Sequence, residues 1–218
     1  MDEVVASAPG KVVLFGEHAV VYGHPAISAS ISQRTTVSVR ALDEPGLHLN
    51  QMKVNPARHP HLTSLMHRLW DDSVAKGVDV SVQSDVPRGA GLGSSAAFAV
   101  ASATALRAAS GRWVDADTGA WHDGYPSDGS EVGLFEGEAR EFLRTDTSVR
   151  VHGQAAVSAE EASLLGHVGE ALSQEGRASP MDTMTSAYGG LVMLSNRVED
   201  ESTWVMKRTM PMLSLIHI

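Results

Sequence analysis

No cysteine occurs among the 218 residues, which excludes disulfides, thiolate metal ligands and a cysteine nucleophile, and suits a reducing compartment. Aromatic residues make up only 5% of the chain, so its core must be built largely from aliphatic side chains. The apolar stretches near the start are broken by Lys11, Glu17 and His18. Neither a signal peptide nor a membrane span is therefore expected, and the cytoplasm is the expected location. Basic residues are outnumbered 17 to 26, for a formal net charge of -9. A general affinity for nucleic acid or an anionic membrane is not expected, and a small anionic ligand would have to be held by local geometry.

What is present is ample apolar material: 43% of the residues are hydrophobic, enough for one sizeable domain or one domain and part of a second. Residues 4–8 and 11–15 read as strands flanking a Pro9-Gly10 turn, and residues 33–42 alternate like a half-buried strand. Over 61–76, Leu62, Leu65, Met66, Leu69 and Trp70 fall at helical spacing, with Gly77 as the stop. Val78, Val80 and Val82 then alternate, and residues 94–110 form an alanine-rich helix ended by Gly111. From Asp115 to Gln154 the composition shifts to scattered Gly, Asp, Ser and Pro, read as an insertion with a short helix over 135–143 and a strand over 148–151. A helix over 158–173 opens on a capping box of Ser158 and Glu161, and residues 191–194 form an apolar strand. The pattern is mixed α/β.

Between the Val78–Val82 strand and the alanine-rich helix lies Pro87-Arg88-Gly89-Ala90-Gly91-Leu92-Gly93-Ser94-Ser95-Ala96-Ala97. Three alternating glycines admit positive φ and let backbone amides converge on an anion, and the helix start adds its unpaired N–H groups and positive dipole end. Ser94 and Ser95 supply hydroxyls for a phosphate or a metal ion. The competing reading, a turn closed by a serine N-cap, has no need of three spaced glycines. No Lys-Ser or Lys-Thr pair follows the glycines as in a Walker A loop, and no Rossmann-type acid completes the motif.

Two acids and a lysine accompany this loop. Glu170 sits in the last turn of its helix, where a carboxylate opposes the dipole and needs a cation unless it is simply solvated. Asp182 lies in Gly176-Arg177-Ala178-Ser179-Pro180-Met181-Asp182-Thr183, ahead of the Gly189-Gly190 pair, as a helix N-cap or as a reacting group. With Lys11 these make a phosphate cradle, a metal ligand, a neutralising cation and a group to orient a hydroxyl, which are the parts phosphoryl transfer requires.

The glycine run, together with Ala8-Pro9-Gly10-Lys11-Val12-Val13-Leu14-Phe15-Gly16-Glu17-His18-Ala19-Val20-Val21-Tyr22-Gly23 and the segment from Gly176 to Gly190, resembles the GHMP kinase superfamily. The first motif is similar to that of the mevalonate kinases, and the third to their archaeal type. The resemblance implies an α+β sandwich like the second domain of ribosomal protein S5, with a left-handed βαβ crossover, over residues 1–195. It also implies a ferredoxin-like second domain, of which residues 196–212 would be only the start, the rest lying beyond this chain. Residues 213–218 read as a sequencing-adapter scar.

In function, the resemblance implies ATP-dependent phosphorylation of the mevalonate 5-hydroxyl in isoprenoid biosynthesis, with Mg²⁺ and a homodimer among the assemblies it admits; the acidic charge balance adds the expectation of no nucleic-acid or membrane partner. Gly89, Ala90, Gly91, Leu92, Gly93, Ser94 and Ser95 would bind the nucleotide phosphates, with Ser84 a further nucleotide contact. Ser95 and Glu170 would hold Mg²⁺, with Glu175 competing for the second place. Asp182 would be the acid-base group and Lys11, also on the nucleotide, would stabilise developing charge. Glu17 and His18 would lie at the mevalonate end, and Arg177 is a candidate partner for its carboxylate. A kinase for another small alcohol, such as a mevalonate 3-kinase or a sugar kinase, and a non-catalytic nucleotide-binding relative are the alternatives.

Overall fold

The computed structural model describes residues 3–19, 22, 24–70, 72–114, 121–122, 150–152, 157–173, 179–195 and 205–210. In chain order they form strands β1 (Val4–Phe15), β2 (Ala26–Leu42), β3 (Gly46–Leu49) and β4 (Met52–Lys53), helix α1 (Pro60–Leu69), strand β5 (Gly77–Ser84) and helix α2 (Ser94–Ser110). There follow the short strands β6 (Trp113–Val114), β7 (Trp121–His122) and β8 (Arg150–His152), helices α3 (Ala159–Ser173) and α4 (Pro180–Tyr188), and strands β9 (Leu191–Ser195) and β10 (Val205–Met210). β6 and β7 pair with each other, and the remaining strands form one mixed sheet.

The spine of that sheet is β2. One of its edges pairs antiparallel with β1, from Val4 opposite Val39 to Phe15 opposite Ile27. Ala26–Ala29 also pair with β9, and Thr35–Leu42 with β5. Residues 30–34 thus lie between two partners, and the chain leaving β5 toward the glycine run crosses there: Asp85 N–H donates to the Arg34 carbonyl at 2.9 Å. β3 runs parallel to β5, so the stretch through α1 between them is a βαβ crossover.

Alternation along the strands explains the core. Val4, Ala6 and Ala8 of β1, Val37 and Val39 of β2, and Val78 and Val80 of β5 are all buried, and with Leu62, Leu65 and Leu69 of α1 and much of α2 they form one apolar cluster. α2 packs on β1 and β2 beneath α3, which is why it is apolar around nearly its whole circumference. A glycine of α3 permits that approach: a Cβ on Gly166 would stand 2.7 Å from Val100 Cγ2 of α2.

Several expectations need correction. The Pro9-Gly10 pair does not turn the chain; β1 runs through it with a register shift, since Pro9 opposes Arg34 and Lys11 opposes Ser30. A proline is tolerated in a strand at such an irregularity, and Gly10 is demanded by space, because its Cβ would lie 2.6 Å from the Leu92 carbonyl oxygen. β2 begins at Ala26, seven residues before the expected 33. α1 starts with Pro60 in its first turn and ends at Leu69, because Trp70 turns to extended φ and ψ of -137° and 136° and buries its ring, its indole N–H donating to the Ala75 carbonyl at 3.2 Å. Gly77 is therefore no helix stop; it opens β5 opposite Gly46. The strand expected over 148–151 is Arg150–His152, an edge partner of β1. β10 pairs antiparallel with β9, a pairing that leaves open the expectation that residues 196–212 begin a further domain. The helix expected over 135–143 and residues 213–218 lie outside the described residues.

Other readings hold as drawn. α2 spans 94–110 and ends on Gly111 at a φ of 71°, and Ser158 Oγ accepts the Glu161 N–H at 3.0 Å to cap α3. The Glu161 carboxylate reaches Arg107 of α2, whose Nε donates to it at 2.7 Å in the buried helix interface.

Candidate active site

Three chain segments meet at one cavity of about 580 Å³: the middle of β1, the loop from β5 into α2, and the start of α4. Gly89, Gly91 and Gly93 take φ of 69°, 73° and 70°, a region other L-residues enter only with strain. Gly93 itself is the N-cap of α2 in the left-handed conformation, no side chain caps the helix, and its first turn carries no acid. The serine-cap reading of the motif is thus set aside. The positive end of α2 opens instead toward the cavity, where Ser94 and Ser95 line the wall.

Lys11 enters from β1. Its N–H donates to the Leu92 carbonyl at 2.9 Å, fastening the strand to the loop beside the register shift. Its Nζ lies 3.0 Å from Asp182 Oδ1, the side chains being 9% and 26% exposed. The lysine is sheltered and the carboxylate is the partner nearer solvent. Asp182 is not the N-cap of α4. Ser179 is, accepting the Met181 N–H at 3.3 Å, with Pro180 following and Asp182 in the first turn, where a carboxylate suits the dipole. α4 is seated on β2 by a Ser28–Thr185 hydroxyl pair and by reciprocal bonds of 2.9 Å between Ser30 and Gly190.

Glu170 is 1% exposed, and its Oε1 accepts a hydrogen bond from Ser95 Oγ at 2.7 Å. A solvated surface glutamate is excluded by that burial. Ser84, at the end of β5, lines the cavity and shares a 2.8 Å bond with Thr35 Oγ1. Glu17 and His18 sit exposed in the turn after β1 and are not among the cavity's lining residues. Glu175 and Arg177 lie outside the described residues.

The cavity has a second wall that the motifs did not announce, made by Asn50, His59, His61 and Phe98. Asn50 holds a φ of 50° in the turn between β3 and β4 and bonds β5 twice, through its N–H to the Val80 carbonyl and through Oδ1 to the Val82 N–H. An Asn-Gln turn between strands was the signal for it, since asparagine tolerates positive φ better than most residues. His61 meets Phe98 edge-on with ring centres 6.0 Å apart, and burial, reinforced by His59, holds its imidazole below the ordinary value of 6.5.

Residues 61–120 match the GHMP kinases N terminal domain, so the family profile covers α1, β5, the glycine loop and α2. The chain belongs to the GHMP kinase superfamily. Residues 1–41 of the chain match the galactokinase galactose-binding signature. It is 42% identical over 107 residues to the mevalonate kinase of Archaeoglobus fulgidus, across 48% of this chain and 38% of the relative. Against the mevalonate kinase of Methanothermobacter thermautotrophicus it is 31% identical over 198 residues, across 88% of this chain and 50% of the relative. The crystal structure of Methanococcus jannaschii mevalonate kinase shares the fold, with a TM-score of 0.55 and 24% identity over 88% of this chain and 53% of that one. The matches cover between 38% and 53% of the length of these proteins. Among the described residues, no helix is long and apolar enough to cross a membrane.

Proposed function

We propose that this GHMP kinase chain carries the phosphate-binding and acid-base half of an ATP-dependent mevalonate kinase. The reading rests above all on the 3.0 Å Lys11–Asp182 pair lining the same cavity as the glycine loop. The Gly89–Ser95 amides and the start of α2 receive the nucleotide phosphates, and Ser84 makes a further nucleotide contact. Asp182 accepts or orients the proton of the mevalonate 5-hydroxyl as that oxygen bonds to the γ-phosphorus; the bond to the β,γ-bridging oxygen breaks and ADP leaves. How fully the proton moves before attack depends on how loose the transition state is. Lys11 offsets charge that develops on the transferring group and, 3.0 Å from Oδ1, keeps Asp182 aimed. Glu17 and His18, in the exposed turn after β1, are assigned to the acceptor side.

The Ser95 hydroxyl and the Glu170 carboxylate, 2.7 Å apart, are hard oxygen donors next to the phosphate loop. Among the described residues no cluster of three or more His, Cys, Asp or Glu could hold a metal ion. The Ser95–Glu170 pair of oxygen donors suits Mg²⁺, which commonly takes one or two protein oxygens and completes its shell with phosphate and water. Held there by Ser95 and Glu170, Mg²⁺ would supply positive charge to offset that of the phosphates.

Mevalonate is the acceptor named by the archaeal relatives. A sugar kinase is the second reading, favoured by the galactokinase signature over residues 1–41, which includes Lys11, Glu17 and His18. An ADP-release assay of the full-length gene product against mevalonate, phosphomevalonate, galactose and homoserine separates them. Turnover with mevalonate alone is expected. Turnover only with galactose would replace the first reading by the second, and ATP binding without any turnover would favour a non-catalytic relative.

A further inference from the structure

The three loop glycines share nearly one φ, yet their surroundings differ. A Cβ on Gly89 or Gly91 would meet nothing within 4 Å. On Gly93 it would stand 2.6 Å from Lys11 Cγ, 3.2 Å from Lys11 Cε and 3.2 Å from the Lys11 nitrogen of the backbone. Carbon atoms pack at about 3.5–4.0 Å, so a methyl group there displaces the lysine along its stem. Lys11 has little room to yield. Its N–H is tied to the Leu92 carbonyl at 2.9 Å and its Nζ to Asp182 at 3.0 Å. The neighbouring Gly10 is equally confined, since its Cβ would lie 2.6 Å from the Leu92 carbonyl oxygen and 3.0 Å from both Ile31 Cδ1 and Val86 Cγ1.

From this contrast we infer that Gly93 is a positioning residue for Lys11: its missing side chain is the slot in which the lysine stem lies, and that slot sets Nζ against Asp182. Gly89 and Gly91 keep the open side of the loop clear for phosphate. One motif thus serves two tasks, two glycines facing the ligand and the third facing the protein's own cation. The consequence for turnover rests on the kinase reading, but the placement of Lys11 is a property of the free chain and is tested there.

Gly91→Ala and Gly93→Ala each put alanine at a φ near +70°, so backbone strain is common to both; Gly93 differs in its contact with Lys11 and in being the N-cap of α2, and the Lys11 variants isolate the first of these. In the unaltered chain, Asp182→Asn should move the ¹³Cε NMR signal of Lys11, because the ion pair is lost. The same response is expected in the Gly91→Ala background and its absence in Gly93→Ala. Equal responses in the two backgrounds would overturn the inference. Denaturation midpoints give an independent reading: Gly93→Ala should fall below Gly91→Ala, and the difference should shrink when both are combined with Lys11→Ala, which removes the stem but not the approach to the Lys11 backbone nitrogen; an undiminished difference would overturn the inference. If Gly93→Ala alone fails to fold, folding restored by Lys11→Ala carries the same support, whereas a double variant that also fails to fold overturns the inference. None of these measurements uses ATP turnover, so a failure of the kinase reading and a failure of this one are told apart.

Discussion

Ser95, in the first turn of α2, and Glu170, near the end of α3, are joined by a 2.7 Å hydrogen bond although 75 residues separate them. Removing the carboxylate should weaken MgATP binding without comparable loss of metal-free ATP binding, since the glycine loop is left in place. A reduction on the order of 10–100-fold in the Mg²⁺-dependent part is expected for Glu170→Ala, by analogy with lost metal-site partners. Titration calorimetry with and without Mg²⁺ measures it, with Glu170→Gln as the variant that preserves packing. An unchanged Mg²⁺ dependence would move the role to Glu175.

For the acid-base pair, Asp182→Asn keeps the size of the side chain and removes its ability to take a proton. Turnover should fall about 10²–10⁴-fold, the usual span for a lost acid-base group, while the Kd for ATP changes little. Lys11→Met should lower turnover and nucleotide affinity together, because Lys11 lies against the loop as well as against Asp182. Steady-state kinetics of the full-length gene product and ATP binding to the chain check both.

Arg107 and Glu161 form a buried ion pair between α2 and α3, 0% and 6% exposed at the side chains. Arg107→Met leaves the carboxylate buried without its cation and should cost roughly 3–5 kcal/mol. The double variant Arg107→Met/Glu161→Leu should recover most of that loss, which urea denaturation resolves. Additive losses would show that the pair is not coupled.

Two glycines of α3 offer an opposed pair of outcomes. Gly166→Ala forces a methyl group within 2.7 Å of Val100 Cγ2 and 3.1 Å of Val100 Cα, and overpacking of this kind costs about 1–3 kcal/mol. Gly169→Ala meets Leu65 at an ordinary 3.4 Å and should stabilise by about 0.5–1 kcal/mol through helix propensity. Thermal unfolding should therefore shift in opposite directions.

His61 gives the expected pH dependence. Its folded-state pKa lies below the ordinary 6.5 because burial and His59 disfavour the cation. Above that value both states are neutral at this position and the residue adds no slope. As pH falls through 6.5 toward the lower folded value, the unfolded chain takes up the proton first, so stability is lost with falling pH. His61→Gln should flatten this part of the stability profile.

The sequence by itself announced the alanine-rich helix with its glycine stop, the strand leading into the glycine loop, and the capped helix that carries Glu170, because each is set by short-range pattern: period two, period three to four, and terminal glycine or serine. It also named Lys11, Ser95, Glu170 and Asp182. What it could not show was where long-range pairing overrides a local signal. Pro9-Gly10 has the composition of a turn, and only its neighbours β2 and Leu92 hold it in a strand. Gly77 has the composition of a helix stop, and only its packing against Glu44 and Gly46 makes it a strand start. Trp70 fits a helical stripe, yet burial of its ring ends the helix.

The same division runs through the site. Composition excluded thiol chemistry, and the alternating glycines with their serines were enough to mark an anion cradle, since φ near +70° and the absence of Cβ are local properties. That Gly93 faces Lys11 while Gly89 and Gly91 face open space was decided by tertiary structure alone, as were the Ser95–Glu170 bond and the wall of Asn50, His61 and Phe98. These relations depend on distances between residues far apart in the chain, and such distances are set by how β1 and α3 pack against the loop and α2.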